Sequence, residues 1–423
     1  MKKWVIGLTI VIALFLVLVY AAVSTTNKEF ATCILTDKSK MDDVDFKEFD
    51  SVLVAASILY EGNFLKEIMQ GEQYRDAWST PIKVPIVFLD TLFGGMEILK
   101  EGGGKQTHSL KLKSKKGRIY SLRSVNKDPA PLIPDMARTL GLENIIVDGV
   151  SAQHPYAAIV VARLAEKANV LHTDPKIVFI PEQPSLKNFN NKFGNRLYLL
   201  EHETDGGANW TEYSNVSAIL DTEDLQKLKL ELGDKLTIDK TALVRARLFD
   251  ILIGDWDRHT KQWGWVVTKN QDTFEAIPLP GDRDNAFFNL EGILPTIIAN
   301  KHLLPGLQSF EKEIDYLPGL VMPFDIYFLQ NVPKEIFIEE ARKLQNLLTD
   351  DALKESLHLW PAEIYKLDGE GIFEIMRYRR NQMQEYAIRF NEVLEERKLL
   401  TEPLKGSEEN QLPEDLLRCF DCF

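Results

Sequence analysis

Residues 4–23 carry no charged side chain, and this run constrains the chain more than any other feature. In hydrocarbon every backbone N–H and C=O must be satisfied within the segment itself, so a lone apolar run of this kind is read as a helix. Its 20 residues, at ~1.5 Å each, would span about 30 Å, the hydrocarbon thickness of a bilayer. A cleaved signal has a shorter apolar region, about 7–15 residues, so a retained anchor is expected. Ala21-Ala22-Val23-Ser24 keeps a cleaved signal as the alternative, because it offers small residues at the far end. A buried core helix is disfavoured, since the run has no polar face. Lys2 and Lys3 place the short end in the cytoplasm and the bulk of the chain on the extracytoplasmic side, in the periplasm or at the cell surface.

The rest of the 423 residues suffices for one large two-lobed domain or two ordinary ones. A hydrophobic content of 45% supports a full-sized core. The net charge of −13 argues against nucleic acid as a partner, because phosphates would be repelled. Of the three cysteines, Cys419 and Cys422 form a C-x-x-C that an exported chain could close as a disulfide, and Cys33 lies just past the apolar run. No further ligands stand at zinc spacing nearby.

Residues 24–45 are polar and suit a linker. Residues 46–69 show apolar side chains at helical spacing, and residues 81–92 read as extended. Residues 96–99 lead into Gly102, Gly103 and Gly104. Residues 108–114 alternate, a turn follows at Lys115-Lys116-Gly117, and residues 118–125 alternate again. The predicted order is therefore strand, glycine loop, strand, turn, strand. A helix is expected over residues 155–168, with strands over 176–180 and 196–201. Thr204-Asp205-Gly206-Gly207 reads as a hinge. Asp239 is an N-cap for a helix that Gly254 ends. Asp255-Trp256-Asp257-Arg258-His259 comes next, then a hairpin over 264–268 and 273–278, and at its exit Gly281-Asp282-Arg283-Asp284-Asn285. Beyond it the pattern is helical to about residue 398, and the tail after Pro403 is polar.

Several of these features suit phosphoryl transfer. Three glycines between strands let backbone N–H groups approach an anion, although a Gly-Gly-Gly hairpin is more often a plain turn. The loop is not a Walker A motif, because Leu99 stands where its first glycine belongs and Thr107 comes one place late. A carboxylate must orient or deprotonate the attacking hydroxyl, and oxygen ligands must hold the metal on the phosphates. Asp257, with Gln262 five residues on and Asp282 and Asp284 after the hairpin, follows the order in which kinases place those groups. The competing reading is a solvated loop in which Arg258 and Arg283 pair with nearby aspartates. Lys127 could reach the phosphates, with Arg123, of the same strand parity, as its rival.

The stretch 252–259 resembles the catalytic loop of atypical kinases: HipA-type toxin kinases, spore-coat CotH-type kinases, Golgi secretory-pathway kinases and phosphatidylinositol kinases. These carry D-R-H or D-D-H after a helix in place of H-R-D. The resemblance covers residues 95–290 or so. It implies an α+β, two-lobed protein-kinase-like fold that binds ATP with Mg²⁺ or Mn²⁺. On that pattern Asp257 is the base, and Gln262 with Asp284 or Asp282 holds the metal. Lys127 or Arg123 contacts the phosphates, beneath a cover of Gly102, Gly103, Gly104 and Lys105. The chain departs from the pattern in three places. Gln262 replaces the usual Asn, two aspartates compete for one metal place, and the helix 155–168 has only the late Glu166 to pair the lysine, with Asp148 or Glu143 as substitutes.

The chain also resembles a group of exported bacterial proteins that share residues 102–107, 123–129 and 245–248. That likeness implies no particular activity. The expected organisation is an anchor or signal over 1–23, a linker over 24–45 and an N-lobe with a helical extension over 46–204. A helical C-lobe over 205–400 and a tail over 401–423 complete it. The acceptor is a hydroxyl on a protein, glycan or lipid. A kinase-like module without catalysis is the alternative. A metal-dependent phosphate-ester hydrolase is disfavoured, because the seven scattered histidines supply no cluster.

Overall fold

Three sheets of different size carry the chain, and the candidate residues gather where two of them meet. The computed structural model describes residues 2–23, 34–35, 45–103, 107–128, 133–299 and 302–400, together with residues 402, 404 and 420. Helix α1 (Lys2–Val23) comes first. A small antiparallel sheet follows, built from β1 (Ile34–Leu35), β2 (Ser51–Ala55) and β3 (Ile82–Pro85), with α2 (Phe64–Gln70) and α3 (Arg75–Ser79) between its last two strands. The helical pattern expected over 46–69 is thus part strand. In Val52-Leu53-Val54-Ala55 the β-branched residues suit a pleated surface, and pairing on both sides overrides the apparent helical spacing.

The second sheet holds β4 (Met96–Gly102), β5 (Ser109–Ser114), β6 (Ile119–Ser124), β7 (Lys176–Ile180) and β8 (Arg196–His202) in the order β4-β5-β6-β8-β7, all antiparallel. Both faces are covered, so β7 and β8 read as near-continuous apolar runs. Val178, Ile180, Tyr198 and Leu200 join Leu110, Leu112 and Leu122 in one cluster. Ile177, Phe179, Leu197 and Leu199 point the other way, into the main core. Between β6 and β7 lie α4 (Asp135–Thr139), α5 (Glu143–Asp148) and α6 (Ala157–Lys167), and α7 (Asn190–Phe193) joins β7 to β8. The buried face of α6 is rich in alanine and valine, which contributes to the same main core.

The third sheet holds β9 (Val216–Asp221), β10 (Leu236–Ile238), β11 (Trp263–Asn270) and β12 (Thr273–Pro280), in the order β10-β12-β11-β9. Helix α8 (Thr222–Leu232) joins β9 to β10, and α9 (Lys240–Ile253) leads to β11. The Asp239 carboxylate accepts from the Ala242 N–H at 2.8 Å, and Gly254 closes the helix with φ +69°. Thr204, in the link between the two larger sheets, lies flat on β11. A Cβ at Gly264 would stand 2.0 Å from the Thr204 carbonyl oxygen, so no side chain fits there. The remaining helices are α10 (Ile293–Ile298), α11 (Pro323–Leu329), α12 (Lys334–Leu347), α13 (Asp350–Leu357), α14 (Ala362–Ile364), α15 (Glu370–Asn381) and α16 (Met383–Glu396). Cys33, Cys419 and Cys422 lie outside the described residues. The architecture is mixed α+β, with mostly antiparallel sheets.

Candidate functional site

The loop after α9 is held by one buried carboxylate that sequence reasoning did not single out. Asp250, fully buried in the last turns of α9, accepts from Arg247 Nη1 at 3.0 Å and from Arg283 Nε at 3.0 Å, and pairs with Arg258 Nε at 3.2 Å. Burial opposes its charge, but the three guanidiniums outweigh burial and hold its carboxyl below the ordinary range. Arg258 is fully buried, lies over the Trp263 ring, and donates to the carbonyls of Gly281 at 2.8 Å and Asp282 at 3.3 Å. Arg258 and Arg283 thus pair with nearby aspartates, as the competing reading expects, but in the D-W-D-R-H segment the pairing arginine is buried rather than solvated. Its arginine fastens it to the loop that leaves β12. The one hint in the sequence was an aspartate on an otherwise apolar face of α9.

That fastening brings the two acidic loops together. Lys127 Nζ donates to Asp284 Oδ2 at 2.7 Å. The next residue, Asn285, reaches Asp257 Oδ2 from its Nδ2 at 3.5 Å, and its Oδ1 accepts from Gln153 Nε2 at 2.5 Å. Lys127, Asp284, Asn285 and Asp257 thus form one connected row across two loops and the end of the second sheet. Asp257 is half-buried, and His259 Nε2 stands 3.8 Å from its Oδ1. The Gln262 amide nitrogen lies 3.4 Å from the same His259 Nε2. Burial and then the neighbouring Asp282 charge raise the Asp284 carboxyl, with Lys127 offsetting part. Asp255 is pushed well above its ordinary range by burial, with Asp250 and Asp257 adding to the rise.

Arg123 serves a second carboxylate pair beside the first. It forms an ion pair with Asp282, and its Nη2 lies 3.3 Å from Glu201 Oε1 on β8. Burial works against an ionised Asp282, but Arg123 and Lys127 outweigh it and hold that carboxyl below its usual value. Glu201 also accepts from Thr173 Oγ1 at 2.5 Å, and burial pushes its carboxyl up to about 7. Neither Glu201 nor Asn285 was assigned a part from the sequence. Glu201 ends an apolar strand, and only its pairing across the sheet reveals Arg123 as its partner. The acids expected from the helical region bind elsewhere: Glu166 pairs with Arg163, and Asp148 with Lys66 at 2.8 Å and with Arg75.

The glycine loop lies at the same end of the sheet. Gly102 pairs with Ser109, and Ser109 with Arg123, so the three share one row across adjacent strands. At about 4.8 Å per strand, Gly102 stands some 10 Å from Arg123. Gly103 follows directly, whereas Gly104 and Lys105 lie outside the described residues. A small cavity is lined by His172, Thr173, Glu201, Asp282 and Arg283 and walled by α6, and none of Lys127, Asp257 or Asp284 lines it.

The central row brings together the carboxylates of Asp284 and Asp257, the Asn285 amide and a lysine, and its carboxylate oxygens suit a hard cation. Among the described residues no three His, Cys, Asp or Glu side chains gather closely enough to hold a metal alone. Magnesium in phosphoryl-transfer sites needs fewer protein ligands, because one or two carboxylates suffice once phosphate oxygens and water complete its shell. Asp284, as a single carboxylate, meets that count.

No family model and no curated protein matches the chain. Among solved structures, the Helicobacter pylori proinflammatory kinase CtkA is similar at 14% identity and a TM-score of 0.37, over 72% of this chain and 97% of that one. Likeness at that level bears on neither the chemistry nor the ligands of this chain.

Proposed function

We propose that the chain is a membrane-tethered phosphotransferase of kinase-like architecture that uses ATP with Mg²⁺ or Mn²⁺ to phosphorylate a hydroxyl. The observation that carries this reading is the row Lys127–Asp284–Asn285–Asp257, assembled from segments far apart in the chain. In this reading Lys127 contacts the nucleotide phosphates, with Arg123 held beside it by Asp282 and Glu201. Gln262 with Asp284 or Asp282 would hold the divalent cation. The cation would neutralise charge on the phosphate oxygens. Asp257 takes the proton of the acceptor hydroxyl while the hydroxyl oxygen bonds to the terminal phosphorus. The bond from that phosphorus to its bridging oxygen breaks, and ADP leaves. Gly102, Gly103, Gly104 and Lys105 cover the phosphates.

One observation favours a second reading, a kinase-like binding module without catalysis. Lys127 already neutralises Asp284 directly, and Gln262 faces His259. Two measurements separate the readings: the melting shift produced by ATP with Mg²⁺ in wild type and Asp284→Ala, and transfer of a labelled terminal phosphate in wild type and Asp257→Asn. No melting shift in wild type refutes nucleotide use altogether. A shift without transfer selects the silent module.

The tether in this reading is α1. Its last turns pack on the body, with Val19 and Ala22 buried against Met69 and Leu294, which supports retention over cleavage. The two N-terminal lysines support an extracytoplasmic body, where ATP should be scarce if the host is Gram-negative. A reporter fused after Phe423 tests the side, and activity only in the cytoplasm overturns the placement.

A further inference from the structure

Helix α1 does not stand clear of the body along its whole length. Residues 3–14 are exposed throughout, but Phe15, Leu18, Val19 and Ala22 pack against Leu65 and Met69 of α2, Leu142 and Ile145 near α5, and Leu294 of α10. Two hydrogen bonds secure this end: Tyr20 Oη donates to the Leu140 carbonyl at 2.9 Å, and Asn144 Nδ2 donates to the Val23 carbonyl at 2.9 Å. The free uncharged part, residues 4–14, therefore reaches about 17 Å at ~1.5 Å per residue, roughly half of the ~30 Å hydrocarbon layer. Tilt would shorten that reach. For α1 to span, the turns that pack on the body must themselves sit within the membrane, and the body elements around them must enter with it.

Those elements expose apolar side chains that the protein core does not use. On α2, Phe64 is 77% exposed and Ile68 42%; on α4 and at its end, Met136 is 74% exposed and Leu140 44%; on α10, Ile293 is 44% exposed and Ile297 57%. Left in water, such a collar would be a costly apolar patch on a soluble face. Glu67 is also exposed on α2, and Arg138 lies between Met136 and Leu140 on α4. Their charges fit a depth at the headgroup and upper acyl region, not the bilayer centre.

We propose that α2, α4 and α10 form a second membrane-contact surface, which seats the body in the lipid bilayer that α1 spans. The proposal rests on the retained-anchor part of the reading above and is independent of nucleotide chemistry. It also bounds the site's distance from the membrane. Ile293 follows Asp284 by nine residues, so the candidate site lies within about 30 Å of that lipid contact.

The test uses the full chain, with Cys33, Cys419 and Cys422 replaced by Ser, in phosphatidylethanolamine and phosphatidylglycerol vesicles carrying nitroxide-labelled acyl chains. A fluorescent probe is attached at Ile297→Cys, at Met136→Cys or, as a reference, at Leu230→Cys on α8. Quenching several-fold stronger at 297 and 136 than at 230 is the expected result. Should labelling disturb α10, Phe64→Cys on α2 reports the same surface. Equal quenching at every position overturns the proposal. So does carbonate extraction of the chain from the vesicles, a result that leaves the nucleotide reading untouched.

Discussion

Lys127 and Asp284 are 157 residues apart in the chain, yet the Lys127 ammonium donates to the Asp284 carboxylate at 2.7 Å. The pair ties the segment after β6 to the loop after β12, and both members are largely buried. Removing one partner leaves the other charge uncompensated, so the pair should show strong coupling. In a double-mutant cycle of Lys127→Met and Asp284→Asn, urea unfolding is expected to give a coupling energy of about 1–3 kcal/mol. Strict additivity would show that the contact contributes nothing.

Asp257 and the nucleotide contacts should separate cleanly. Asp257→Asn keeps the shape of the loop and an oxygen beside Asn285 while removing a base. Phosphoryl transfer is expected to fall at least ~100-fold, with the ATP-induced melting shift retained. Equal loss of binding and transfer would assign Asp257 to binding alone.

Asp250 is the residue on which the loop architecture depends most. Asp250→Asn leaves Arg258 and Arg283 facing a neutral amide in the core, while Arg247 keeps its pair with Asp325. A loss of about 3–5 kcal/mol is expected from the uncompensated charges. Chemical denaturation measures it, and a variant as stable as wild type would refute the role assigned here.

Glu201 should leave a pH signature. Its carboxyl is raised to about 7 by burial, above its ordinary value of 4.5, so the folded state holds the proton more tightly than the unfolded chain. The resulting stability is fully present below about pH 4.5 and is lost as pH rises toward 7. Its upper bound is about 3 kcal/mol at ~1.4 kcal/mol per pKa unit. Glu201→Gln removes this titration. The melting temperature of wild type, measured relative to the variant, should therefore decline between pH 4.5 and 7. A constant difference would contradict the shift.

Much of the local structure was legible because it depends on neighbours in sequence. The limits of α9 follow from the Asp239 cap and Gly254, and the hairpin of β11 and β12 follows from alternation around a polar turn. Residues 51–55 misled because short apolar runs fit either period until the partner strands are known. The candidate residues were legible as types and order: lysine, loop aspartate, hairpin, aspartate. Their partners were not. Asp250 and Glu201 sit among apolar residues whose pattern speaks only of burial, and the guanidiniums that neutralise them come from other elements.

By itself the sequence determined an uncharged helix at the N-terminus, the spans of most later elements and the kinds of side chain available for chemistry. Those properties arise from hydropathy, capping and alternation within a few residues. The tertiary structure alone decided that Lys127 meets Asp284, that Arg258 is buried under Asp250, and that α1 is half sunk in the body. Each is a contact between segments distant along the chain, created when the sheets and helices bury their apolar faces together, and no local pattern encodes which charges then meet.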